Sequence, residues 1–107
     1  VIKETTPSRY LDDAFGQGIN VVLLHLGDEM YQEALGPYVQ AAQRFEGSRW
    51  VNLWVCCIQS DDDCVAVQAC RFPQFRFLVN GVEKSSHLGA LEAREIVQTI
   101  FSMEDHQ

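Results

Sequence analysis

The chain has 107 residues, which is room for one core and no second. Hydrophobic residues make up 47% and charged residues 21%, which excludes a disordered tail. The 8 Lys and Arg against 15 Asp and Glu leave a net charge of −7, so nucleic acid and acidic lipid are poor partners.

Val1 to Glu4 reads as a short strand. Thr5, Thr6, Pro7 and Ser8 then supply helix-start chemistry, because hydroxyls cap free N–H groups and proline tolerates the first turn. Tyr10, Leu11, Ala14 and Phe15 follow at helical spacing, and Gly16 and Gly18 close that helix. Ile19 to Leu26 is nearly all apolar, rich in β-branched residues and interrupted only by Asn20 and His25. Such a run suits a strand covered on both faces, and it is far short of the roughly 20 residues that span a bilayer. Gly27 and Asp28 break it.

From about Glu29 to Phe45 the apolar residues Met30, Ala34, Leu35, Tyr38, Ala41, Ala42 and Phe45 mark a long helix. Pro37 lies inside it and should kink it. Trp50 to Ile58 reads as a second buried strand. Ser60-Asp61-Asp62-Asp63 is a helix start with three carboxylates at the positive end of the dipole, and Cys64 to Ala69 continues it. Phe72-Pro73 breaks the chain. Gln74 to Val79 and Val82 to Ser86 flank Asn80-Gly81, a strong hairpin signal. Ala90 to Phe101 closes the chain as a helix with Leu91, Ala93, Ile96, Val97, Ile100 and Phe101 facing inward. Tyr10, Trp50, Trp54, Phe75, Phe77 and Phe101 are spaced as core.

The order β-α-β-α-β-α-β-β-α, with right-handed crossovers, makes the first three strands parallel and adds an antiparallel hairpin. The expected fold is a three-layer α/β/α domain around a central mixed five-stranded sheet.

Tyr10-Leu11, Leu35-Gly36-Pro37 with Ala41-Ala42, Val55-Cys56-Cys57 with Cys64, Arg71-Phe72-Pro73-Gln74-Phe75, Asn80-Gly81 and Gly89 stand in an informative order. In that order the chain resembles the thioredoxin fold and, more closely, the a-type domains of the protein disulfide isomerase family. The family's chemistry needs two cysteines at the start of the long helix, where the helix N-terminus lowers one thiol's pKa. Counted back from Leu35-Gly36-Pro37, those positions fall on Glu29 and Gln32 of Glu29-Met30-Tyr31-Gln32. No cysteine lies between Val1 and Val55. The family's buried glutamate and its lysine partner fall on Leu23 and Trp54. The resemblance therefore implies a domain that has lost the nucleophile, the resolving thiol and the proton relay, and that is not an enzyme.

The same resemblance implies a cis peptide bond before Pro73. It also implies a shallow chain-binding patch lined by Met30, Tyr31, Phe72, Pro73 and Gln74. The alternative is that Phe72 and Pro73 only shape the fold. Cys57 and Cys64 match a pair that forms a structural disulfide in several family members, which would contribute about 2 kcal/mol; two buried free thiols are the other reading. Adjacent Cys56 and Cys57 point to opposite faces of a strand. Cys70 is either a thiol for mixed disulfides or an ordinary small residue, paired to Cys56 or unpaired. The C-C-x6-C-x5-C spacing does not suit zinc.

Glu29 beside His25 could move protons, against a plain helix-turn role. Asp61, Asp62 and Asp63 suit helix capping better than calcium. With no Gly-rich phosphate loop and no Ser/His/Asp signature, no cofactor or metal is expected.

Three roles follow. The first is a redox-inactive module of a larger disulfide-isomerase-type protein, acting as a spacer between neighbouring domains or as a binder of a protein or unfolded polypeptide. The second is a monothiol exchange or retention factor using Cys70. The third is a dimerisation module with an apolar patch around Met30, Tyr31 and Phe72. The chain shows no signal-peptide pattern and reads as a segment of something longer. The expected location, from the resemblance and the cysteines, is the endoplasmic reticulum lumen or another secretory compartment.

Overall fold

Five strands form one mixed sheet between two helical layers. The computed structural model describes residues 2–104; Val1, placed by the sequence in the first strand, lies outside them. In chain order the elements are β1 (Lys3–Thr5), α1 (Tyr10–Ala14), β2 (Ile19–His25), α2 (Glu29–Gln43), β3 (Val51–Cys57), α3 (Asp61–Val67), β4 (Gln74–Val79), β5 (Val82–Leu88) and α4 (Ala93–Glu104). The sheet order is β1-β3-β2-β4-β5. β1, β3 and β2 are parallel, and β4 and β5 are antiparallel additions. The expected fold class is therefore the observed one.

Every residue of β2 is buried, since this central strand has a helical layer on each side. The phase of the strands splits the core in two. Val21, Leu23, Leu53 and Val55 face α2 and α4, where they meet Tyr38, Ala41, Ile96 and Ile100. Val22, Leu24, Cys56 and Leu78 face the opposite layer, where they meet Tyr10, Ala14 and Val67 of α1 and α3.

Local chemistry sets most of the element ends. Asp28 caps α2 by accepting a hydrogen bond from the Tyr31 N–H at 3.1 Å. Ser60 caps α3 through the Asp63 N–H at 3.2 Å. α2 runs through Pro37 without ending. At the hairpin, Asn80 (φ 50°) and Gly81 (φ 81°) take the two left-handed positions of a two-residue turn. The Asn80 side chain accepts from the Gly18 N–H at 2.8 Å and so ties the turn to the start of β2.

Three expectations are corrected. The hydroxyls of Thr5, Thr6 and Ser8 do not cap α1. Thr5 Oγ1 donates to Asp13 Oδ2 at 2.6 Å, the Thr6 and Ser8 hydroxyls bond each other, and α1 begins behind Arg9 with no side-chain cap. Trp50 is 59% exposed, because it precedes β3 and lies outside the sandwich. Phe101 is 42% exposed and packs its ring on Phe45 at the edge of the α2–α4 contact, while Met103 takes the buried position.

Candidate functional site

The site where the resemblance places redox chemistry is the junction between β2 and α2. β2 ends at His25, Gly27 turns the chain with φ 71°, and Asp28 starts the helix. His25 Nδ1 accepts from the Gly27 N–H at 2.9 Å. Its ring lies flat against Tyr31, with centroids 3.5 Å apart and planes 8° off parallel. Burial holds the imidazole below its usual pKa, and Asp28 opposes that only in part. Burial, then Glu4 and Cys57, push the Tyr31 phenol up.

The side-chain partners of His25 are thus Gly27 and Tyr31, and Glu29 sits in the first turn of α2, as the plain helix-turn reading of these two residues has it. Glu29 and Gln32 lie exposed on the first turn of α2, and Met30 beside them is 52% exposed. Leu23 is fully buried. Trp54 Nε1 donates to Asn20 Oδ1 at 2.9 Å, so the indole has a structural partner of its own.

The Phe72–Pro73 peptide bond is cis. The Pro73 carbonyl accepts from the Gly89 N–H at 2.8 Å, joining the loop to the end of β5. The β2–β4 register sets Gln74 opposite Leu24, so the loop lies beside the end of β2, next to the start of α2. Phe72 packs on the α1–α3 core. Tyr31 lines one cavity, and Gln74 lines a different one together with Cys64, Cys70 and Leu88.

The cysteines follow strand alternation. Cys56 is fully buried on the α1–α3 face, and burial pushes its thiol up to about 12. Cys57 lies on the opposite side, in a cavity with Val55, His25 and Tyr31. Cys64 packs against the Cys56 side. Cys57 and Cys64 are therefore separated by the sheet, and all four thiols are free. The expected Cys57–Cys64 disulfide is corrected on this ground: the sulfur facing α3 belongs to Cys56. Cys70 is exposed beyond α3. α3 ends with Gln68 in the left-handed region, its N–H reaching Val65 O at 3.2 Å, while the Ala69 N–H reaches Cys64 O at 3.0 Å.

Cys57 opens onto a cavity of about 630 Å³ at the carboxyl ends of β1, β3 and β2. Open α/β sheets commonly bind ligands outside the carboxyl ends of their strands. Among the described residues no group of three or more His, Cys, Asp or Glu could hold a metal ion, and no helix is long and apolar enough to cross a membrane.

Sequence reasoning missed Arg76. It sits between Phe75 and Phe77 on β4 and is buried. Its guanidinium donates to Tyr10 Oη at 3.1 Å, to Val67 O, and to Gln68 O at 2.7 Å, while Nε donates to Gln74 Oε1 at 2.7 Å. Glu83 of β5 lies 3.5 Å away. A cation here meets the free carbonyls at the end of α3 and locks α1 and α3 to the sheet. The clue in the sequence was a lone cation in an otherwise apolar strand.

Two solved structures align over nearly the whole chain. One, reporting the thiol-resolving mechanism of yeast mitochondrial 1-Cys peroxiredoxin via glutathione/thioredoxin systems, superposes with a TM-score of 0.75 at 13% identity, covering 94% of each chain. The other, chloroplastic thioredoxin z, gives 0.76 at 12% identity, covering 97% of this chain and 95% of that one. The fold is the thioredoxin fold. No protein-family profile and no curated protein matches the sequence. At these identities the likeness is one of fold alone.

Proposed function

We propose that this chain is a thioredoxin-fold module of the disulfide-isomerase type that has no dithiol centre and does not catalyse disulfide turnover. It acts in a secretory compartment, by spacing neighbouring domains or by holding a partner protein or unfolded polypeptide. The observation that carries this reading is the start of α2. Its first turn presents Glu29, Met30, Tyr31 and Gln32 behind the Asp28 cap, with Tyr31 stacked on His25 and Leu23 buried beneath. Thiol–disulfide exchange through a dithiol needs a thiolate and a resolving sulfur in reach of one another, and this turn offers neither. The exposed apolar side chains beside it, Leu26 and Met30, are a contact surface for protein.

The test is insulin reduction and isomerisation of scrambled disulfides by the isolated chain, alongside binding of a reduced, unfolded polypeptide. Turnover that survives removal of the cysteines one at a time, or that depends on Cys70, overturns the reading. Saturable binding weakened by Met30→Ser supports it.

A second reading is favoured by one observation. Cys70 is exposed and shares a groove with Cys64 and Gln74, the setting a monothiol retention factor needs. It predicts client mixed disulfides that disappear in Cys70→Ser.

A further inference from the structure

Cys57 differs from the other three thiols in what surrounds it. It is half-buried and lines the cavity at the carboxyl end of the parallel strands, directly across from His25 in the β2–β3 register. His25 is only 6% exposed. Its Nδ1 is taken by the Gly27 N–H, which leaves Nε2 as the N–H of the neutral ring. Nε2 makes no hydrogen bond among the described residues. No side-chain nitrogen or oxygen among the described residues is both fully buried and without a partner, so Nε2 keeps some access to solvent. Cys57 and a largely buried histidine thus line one cavity.

The charge around that cavity has a sign. Glu4 stands at its mouth, close enough to bear on Tyr31, and Asp28 bears on His25. Arg9, the one cation among the described residues that line the cavity, is drawn to Asp13 at 3.5 Å. Lys3 is held by Asn52 Oδ1, near the other end of β3. The local field is negative, within a chain of net charge −7.

We propose that Cys57 is an acceptor site for small cationic disulfides of the aminothiol class, which enter this cavity and leave a mixed disulfide on its sulfur. The Cys57 thiolate attacks one sulfur of R–S–S–R. A new S–S bond joins Cys57 to that sulfur, the original S–S bond breaks, and the departing RS⁻ takes up the proton given by Cys57 and leaves as RSH. Cys57 is oxidised and one half of the disulfide reduced. The reaction needs no resolving cysteine, so it is compatible with the absence of dithiol turnover and independent of it.

The intact chain is incubated with cystamine (cationic), hydroxyethyl disulfide (neutral) and 3,3′-dithiodipropionate (anionic) at low ionic strength. Adducts are timed by peptide mass mapping, with fragment ions separating Cys57 from Cys56. Cys70, adjacent to Arg71 and exposed, is the internal reference for a thiol outside the cavity. Cys57 should react with cystamine about tenfold faster than with dithiodipropionate, a preference stronger than at Cys70 and lost in high salt. Glu4→Gln, at an exposed position, should reduce that ratio by about threefold. Adducts at Cys64 or Cys70 with Cys57 unmodified would overturn the proposal. So would a cation preference at Cys57 no greater than at Cys70, or one that Glu4→Gln leaves unchanged.

Discussion

Replacing Arg76 by methionine keeps the length of the stem and removes the guanidinium. Three acceptors inside the fold then lose their donor: Tyr10 Oη, Val67 O and Gln68 O. At about 1–3 kcal/mol for each buried polar group left unpaired, the gross loss is about 3–9 kcal/mol. Two effects reduce it. The Tyr10 hydroxyl can rotate, and removing a desolvated cation returns several kcal/mol, roughly half of the gross loss. Glu83 is half-exposed and its ion pair adds less than about 1 kcal/mol. The net expectation is about 3–4 kcal/mol of lost stability, a fall in Tm of roughly 15 °C for a domain of this size. Urea titrations followed by circular dichroism measure it. Arg76→Lys should fall between parent and Arg76→Met, since one ammonium reaches fewer of the acceptors. If Arg76→Met lies within about 1 kcal/mol of the parent, the clamp does not hold α1 and α3 to the sheet.

Three further outcomes are expected. At Gly18 (φ 85°) a Cβ would lie 2.5 Å from the Trp50 carbonyl oxygen, whereas at Gly16 it would meet nothing within 4 Å. Gly18→Ala should therefore cost well over about 1 kcal/mol in a urea titration and Gly16→Ala nearly nothing. Because burial lowers the pKa of His25 below 6.5, the unfolded chain takes up the proton first as pH falls. Stability contributed by this group is full above pH 6.5, declines below it and levels off beneath the folded-state pKa. A urea midpoint that does not drop between pH 7.5 and 5.5 relative to His25→Gln would contradict this. Cys56, whose thiol burial pushes up to about 12, should resist iodoacetamide at pH 8 in the native chain while Cys70 is alkylated; comparable native-state rates at the two would refute it.

Much of the architecture was legible in the residues because its signals are local. The apolar run of β2, the caps at Asp28 and Ser60 and the left-handed pair Asn80-Gly81 are each decided within a few positions along the chain. The lack of sulfur at the start of α2 is likewise a property of the sequence. The parallel first three strands and the antiparallel hairpin followed from crossover handedness and the Asn80-Gly81 turn, whereas the β1-β3-β2-β4-β5 order is visible only in the assembled sheet.

What the tertiary structure alone decided was the face on which each side chain lies. In β3 a shift of one residue exchanges the two faces, and a strand covered on both sides carries no polar alternation from which to read its phase. That is why Cys57 is found beside His25 while Cys56 looks toward Cys64. Arg76 could be understood only once the open carbonyl end of α3 was seen above it. The partners of Phe72, in the α1–α3 core, and of Tyr31, stacked on His25, are likewise supplied only by the packed layers. Periodicity and capping are settled between near neighbours in the chain, but facing and partnership arise only when distant segments meet.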